Sequence, residues 1–380
     1  MTLDPEKKKF LYFFYFSIYV IIFFTNSHFD FQESLFFGGA DGQSYMTISQ
    51  NAPFITSEQI MPIHSERFFF PYLIGLISKL LNIEIFLTYK ILIFVILFFI
   101  NFYLFNIFIF LKLEKDFIII LLAIVNLNPY ISRFYIAVPT IINDLIFILG
   151  TTIIFKNILE KKKLNFLFLS GCILSFASRQ TGIAYLIAYF AKILICKKRI
   201  LDFRSEFLIL CLFIFLLVLS IFYSNHTFTD PNARSELYTV EMRIFGLFLQ
   251  KISLQDKLLF LALPILSFGP MLLYFALFRK IKVTLNSLIK SKILIFLSVF
   301  IFLVVLQPVL SGPEITNRNI IRLTTLAFIP LLILLILITE EKNNKYLSSK
   351  MIVYLFYLIT ITQSLHPTFS KIQVFDILKF

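Results

Sequence analysis

The chain has 380 residues, a mean hydropathy of +0.87, fifty Phe and only 15% charged residues. Soluble domains carry about 25% charged residues, so an ordinary soluble globule is excluded and an all-α, polytopic integral membrane protein is expected. The formal charge of +13 invites a nucleic-acid reading, but the placement of the Lys and Arg residues along the chain makes it a topology signal instead.

A hydrocarbon core about 30 Å thick needs roughly 20 apolar residues per helix, fewer where neighbours shelter it. On that scale the apolar runs predict eleven transmembrane helices, near 10–25, 85–111, 117–128, 144–158, 164–178, 180–195, 206–224, 258–278, 293–311, 320–339 and 351–365. Two further apolar pieces, 68–81 and 129–142, contain proline and are too short to cross; they are expected to lie at the interface, in the first and second external loops. The whole chain, 1–380, reads as one transmembrane domain, with a first external loop and its interfacial helix over 26–84 and another external loop over 225–257. Thr25-Asn26-Ser27 lacks the small-x-small pattern of a cleavage site, so the first span is expected to stay as an anchor.

With the N-terminus inside, behind Lys7, Lys8 and Lys9, 22 of the 35 Lys and Arg residues fall in inward segments, with 9 of the 22 Asp and Glu. The net +13 then sits on the cytoplasmic face, as the positive-inside rule requires. The expected location is the inner, cytoplasmic membrane, with the long polar loops and any chemistry facing outward. Cys172, Cys196 and Cys211 have no metal-ligand spacing, and His28, His64, His226 and His366 are unpaired in sequence. Neither a metal nor a disulfide framework is implied.

The first outward loop holds FFGGADGQSY, in which Asp41 is flanked by Gly38, Gly39 and Gly42. Two roles are open to this aspartate. It can be a general base toward a substrate hydroxyl, or the N-cap of a helix starting at Gly42, and the roles are compatible. Asp144 heads the next outward-to-inward span and is either its cap or a second carboxylate at the same depth. Arg179 stands between two apolar spans; there it should face a polar cavity or an anion, or pair with one of those carboxylates. Arg318 and Arg322 are four apart, so both lie on one face at the outer end of the tenth span. Two guanidinium forks there suit a phosphate, or snorkel to lipid headgroups.

In order and sidedness these features resemble the GT-C class of multi-spanning glycosyltransferases, which take sugars from polyprenyl-phosphate carriers. The resemblance runs over residues 1 to 335: an acidic loop at Asp41, an interfacial helix starting Arg67-Phe68-Phe69-Phe70-Pro71-Tyr72-Leu73, and Asn128-Pro129-Tyr130 followed by Asp144. The turn Ser178-Arg179-Gln180-Thr181-Gly182 and a late Arg318, Arg322, Pro330 motif complete it. The resemblance implies that Asp41 is the general base of an inverting transfer and that Arg179, Arg318 and Arg322 hold the donor phosphate. Tyr45, His64, Glu66, Arg67 and Asp144 would support the acceptor, which is a glycan, lipid or protein. Relatives often carry paired acids where this chain has Asp41-Gly42, so a divalent metal is not supported. The competing readings are a polysaccharide polymerase or ligase, and a lipid or solute transporter, which should show helices broken near the membrane midplane and an internal repeat.

Overall fold

The computed structural model describes residues 31–54, 60, 64, 67–126, 128, 131–132, 134–160, 165–195, 209, 211–216, 218, 240–283, 291–316 and 319–341. These residues are almost all helical, in the order α1 (Phe31–Asn51), α2 (Phe69–Leu81), α3 (Ile85–Phe110), α4 (Lys115–Asn126), α5 (Phe134–Ala137), α6 (Ile142–Leu159), α7 (Phe166–Ser178) and α8 (Ile183–Ile195), then α9 (Val240–Leu249), α10 (Leu254–Phe278), α11 (Lys292–Ser311), α12 (Pro313–Thr316), α13 (Asn319–Thr324) and α14 (Phe328–Ile338). Single 3-10 turns at Pro139–Ile141, Gln180–Gly182 and Thr325–Ala327 lead into α6, α8 and α14.

Helix α6 is the centre of the bundle. Over Pro139–Leu159 its most apolar stretch is 94% buried, whereas Ile85–Phe110 and Lys292–Ser311 are less than half buried. A helix that is apolar all round and buried all round belongs in the middle of a bundle, while Phe98, Phe99, Phe102 and Phe302 stay exposed on the flanking helices, where lipid would solvate them. Helix α7 packs on α6 at short range: a Cβ added at Gly150 would lie 2.4 Å from Ser175 Oγ and 2.7 Å from the Gly171 carbonyl oxygen. Small residues at this crossing let the two backbones approach, which compensates for the absence of a hydrophobic driving force between helices in lipid. Buried polar side chains lock other pairs: Asn101 on α3 and Asn126 on α4 exchange reciprocal amide hydrogen bonds of 2.8 and 2.6 Å.

Four helical stretches are long and apolar enough to cross a membrane, Ile85–Phe110, Pro139–Leu159, Lys292–Ser311 and Ile320–Ile338. A fifth counts if Leu254–Ile265 and Phe268–Phe278, bent by 67°, form one span; Pro264 and Pro270 lie inside that helix, and each removes an amide donor from the ladder. The eleven expected spans are therefore corrected to four or five among the described residues. The runs at 117–128, 164–178 and 180–195 fold as helices of 10 to 17 residues, which at 1.5 Å per residue fall short of a 30 Å core. The runs at 10–25 and 351–365, and most of 206–224, lie outside the described residues, as do 225–239 of the loop expected over 225–257.

The piece expected over 68–81 is helix α2, which buries Phe70, Ile74 and Ser78 on one face and exposes Phe69, Leu73 and Leu80 on the other. The piece over 129–142 becomes α5 and the turn Pro139–Ile141, with 129, 130 and 133 outside the described residues. Far along the chain, the ends of α10 and α14 are tied by a two-stranded antiparallel ribbon, β1 (Arg279–Ile281) with β2 (Thr339–Glu341), in which Arg279 faces Glu341.

Candidate functional site

Helix α1 sets the position of Asp41. Tyr45, Ile48, Ser49 and Ala52 are fully or nearly fully buried and recur at helical spacing from Asp41, so one stripe of the helix faces the bundle. Ser49 fastens that stripe: its Oγ lies 2.7 Å from the Pro71 carbonyl oxygen on α2 and 2.7 Å from the Tyr89 hydroxyl on α3. Gly75 on α2 makes the approach possible, since a Cβ there would sit 2.1 Å from the Ser49 carbonyl oxygen. The glycine turn and the helix N-cap that the sequence suggested for Asp41 are both corrected: it lies ten residues inside a helix that begins at Phe31. Each interior glycine costs the helix about 1 kcal/mol relative to alanine; burial of the Tyr45–Ile48–Ser49 stripe outweighs that penalty.

Both oxygens of the Asp41 carboxylate are engaged. Oδ1 is 2.6 Å from His64 Nε2, and Oδ2 accepts a 2.8 Å hydrogen bond from Arg322 Nη2 on α13. The other imidazole nitrogen, Nδ1, is 2.9 Å from Ser44 Oγ, one turn beyond Asp41 on α1. A nitrogen facing a carboxylate at that distance carries the proton, so in the neutral ring Nδ1 accepts from the Ser44 hydroxyl. Tyr45 packs edge-on against the same ring, with centroids 5.8 Å apart. The Asp41 side chain keeps 20% of its surface exposed, enough for one face to meet a ligand. Burial works against its ionisation, but Arg322 and His64 overcome that and hold its carboxyl well below the usual carboxylate range.

Asp144 is the third residue of α6, behind Ile141, which occupies the N-cap position; it sits in the first turn rather than capping it. Its side chain is 2% exposed. Oδ1 pairs with Arg179 Nη1, and Oδ2 lies 3.4 Å from Arg322 Nε. Arg179 ends α7 in an extended conformation, which turns its side chain back toward the start of α6. Arg322, from late in the chain, therefore bridges two carboxylates from its first half. Arg67 joins the group just ahead of α2: its Nη1 reaches the Tyr45 hydroxyl at 3.4 Å, and its carbonyl oxygen accepts from Asn143 Nδ2 at 3.0 Å. Burial pushes the Tyr45 phenol up, so it stays protonated beside this cation.

The structure thus brings together Asp41, Tyr45, His64, Arg67, Asp144, Arg179 and Arg322, while Glu66 and Arg318 lie outside the described residues. Among the described residues no group of three His, Cys, Asp or Glu side chains is placed to hold a metal ion. Three participants were missed in sequence: Ser44, Asn143 and Tyr135, whose phenol feels the charges of Asp144, Arg322 and Arg179. Ser44 was findable, because it stands at i+3 from Asp41 and so shares its face once α1 is read as a helix through Asp41. Nothing in the sequence pointed to Tyr135. No protein-family model, characterised protein or solved structure matches the chain.

Proposed function

We propose that this chain is a membrane glycosyltransferase of the GT-C type, which moves a sugar from a polyprenyl-phosphate-linked donor to an acceptor hydroxyl on the non-cytoplasmic face. The observation that carries the reading is the partly exposed Asp41 carboxylate set against three buried arginines, Arg67, Arg179 and Arg322, at one end of an apolar helix bundle. Ionisable groups buried among membrane helices mark a functional site by default. A carboxylate beside guanidinium forks suits a reaction in which a hydroxyl is deprotonated while a phosphate departs.

In that reaction the acceptor oxygen attacks the anomeric carbon and gives its proton to Asp41. The bond from that carbon to the phosphate oxygen breaks, and the phosphate leaves with the electron pair toward the arginines. His64, donating from Nε2, fixes the carboxylate orientation, and Ser44 fixes the ring. Helix α2, with Phe69, Leu73 and Leu80 exposed on one face, would rest at the membrane interface where a lipid carrier lies. Asp41→Asn should cut transfer of a labelled sugar from polyprenyl phosphate by about 10²–10⁴-fold while the protein remains folded. Full transfer by that variant would sink the assignment.

One observation favours a second reading, transport of a lipid or solute: the α10 span broken by 67° near Pro264 and Pro270, since broken helices build transporter sites. Substrate uptake by reconstituted vesicles without covalent transfer would select it.

A further inference from the structure

The helices around Arg322 have an apolar core of their own. Leu247 on α9, Phe260 on α10 and Ile320 on α13 form one buried cluster, with Leu263, Val309 and Ile321 packed against it. The large core of the bundle is separate from it. It takes Phe268, Met271 and Phe275 from α10, Phe300 and Val304 from α11, and Leu326 and Phe328 from the approach to α14. Three stretches of chain therefore pass from one core to the other, and each is weakened where it passes. Helix α10 bends by 67° between Ile265 and Phe268, with Pro264 and Pro270 on either side. Helix α11 has Pro308 between Val304 and Val309, which removes one rung from its hydrogen-bond ladder. The single 3-10 turn Thr325–Ala327 joins α13 to α14. Within the smaller group the contacts are close: a Cβ added at Gly246 on α9 would lie 2.2 Å from the Ser311 carbonyl oxygen, and Gln250 Nε2 donates to that oxygen at 3.0 Å. Beside the bend in α10 there is room, since a Cβ at Gly269 would meet nothing within 4 Å.

We propose that α9, the first half of α10 (Leu254–Ile265) and α13, with the short α12 between them, form a rigid cap that hinges at these three places, and that the Arg322–Asp41 pair is the latch that holds it closed. Arg322 belongs to the cap, whereas Asp41 is on α1 and Asp144 on α6, so its ion pairs cross from one body to the other. The latch proper is the 2.8 Å bond from Nη2 to Asp41; the 3.4 Å contact of Nε with Asp144 is the looser of the two. Packed cores resist continuous deformation, so two cores joined by short breaks move as bodies about those breaks. Closure delivers Arg322 to both carboxylates and completes the charge cluster. Opening withdraws Arg322 and uncovers Asp41, whose side chain is only 20% exposed with the cap shut. The motion stands by itself, whereas its use, to admit a lipid-borne donor to Asp41, rests on the sugar-transfer reading.

The test measures distances between spin labels on the full chain in lipid nanodiscs, with Cys172, Cys196 and Cys211 replaced by alanine. One pair joins cap to body, at Phe248 on α9 and Leu80 on α2; a second lies within the cap, at Phe248 and Leu258, and all three positions are well exposed. The parent should give one cap-to-body distance. Arg322→Gln should add a longer one, whose population rises roughly tenfold or more, the effect of losing one charge-assisted hydrogen bond. Asp41→Asn leaves Arg322 its contact with Asp144 and should have a smaller effect in the same direction. The distance within the cap should change in neither variant. Pro264→Ala with Pro270→Ala restores two amide donors to α10 and should return the Arg322→Gln protein several-fold toward the shorter distance. An Arg322→Gln distribution equal to that of the parent overturns the proposal. So does a within-cap distance that broadens in step with the other, since that is unfolding and not hinging, and so does indifference to the two prolines. On the sugar-transfer reading, the same proline variant should slow transfer from a long-chain polyprenyl donor several-fold more than from a short, water-soluble one. Equal slowing overturns the access role and keeps the hinge, and a moving cap in a parent protein that transfers no sugar removes only the enzymatic reading.

Discussion

The two ends of helix α6 solve the same problem differently. At its far end Lys156 pairs with Glu160 four residues on, at 3.1 Å, and Asn157 accepts from Asn165, the N-cap of α7. These partners are near in sequence. At the near end Asp144 draws in Arg179 from 35 residues away, and Arg322 joins it to Asp41, which stands 281 residues from that arginine. Among the described residues three buried arginines gather round two carboxylates. Local pairing is what a bundle needs to terminate a helix; pairing of buried charges across the whole chain is the mark of a site.

The difference between the ends should appear first in stability. Asp144→Asn keeps the shape of the side chain and leaves Arg179 buried without a charge partner, which costs about 3–5 kcal/mol. Thermal unfolding in detergent should fall accordingly. Adding Arg179→Met should recover part of the loss, because the buried pair is then replaced rather than broken. If Asp144→Asn unfolds no earlier than a substitution at Lys156, the two ends are equivalent and the contrast fails.

A smaller effect separates Asp41 from both, and it depends on pH. Its folded carboxyl is held below its usual value, so the folded state favours the ionised form more than the unfolded chain does. That contribution is complete above the ordinary aspartate value of about 4 and is lost as the pH falls through the lowered folded value. The gap in unfolding temperature between the parent and Asp41→Asn should therefore be constant from neutral pH down to about 5 and close below about 4. A gap that widens on acidification would mean that Asp41 is not held ionised by its neighbours.

How much of this was legible follows from the range of the interactions. Runs such as 85–111, 293–311 and 320–339 declare themselves by length and composition alone, and the helical stretches Ile85–Phe110, Lys292–Ser311 and Ile320–Ile338 fall within one residue of them at either end. Arg179 stood out because a charge inside apolar sequence has few inexpensive environments, and its pairing with a carboxylate was one of its stated options; Asp41, Asp144 and Arg322 stood out as charges at the outer ends of apolar runs. The number of spans was not legible, because hydropathy cannot separate a short buried helix from a short crossing one; α7 and α8 are apolar enough for either. Asp41 misled for a related reason. Three glycines and an aspartate argue for a turn by local preference, and only the tertiary burial of Tyr45, Ile48 and Ser49 keeps the helix running through them.

The smallest effect belongs to the far end. Lys156→Gln removes one member of an i, i+4 pair that forms within a single helix turn. The pair needs no long-range organisation and Gln keeps a donor at the site, so the loss should be smaller than for Asp144→Asn, about 1–3 kcal/mol. Lys156 lies at the opposite end of α6 from Asp144, so sugar transfer should not change with it. The informative measurement is the pair of readouts together: a small drop in unfolding temperature with unaltered transfer marks the far end as structural support. A loss of transfer would instead mean that strain passes along the buried α6 from one end to the other, and the two ends would then be parts of one device.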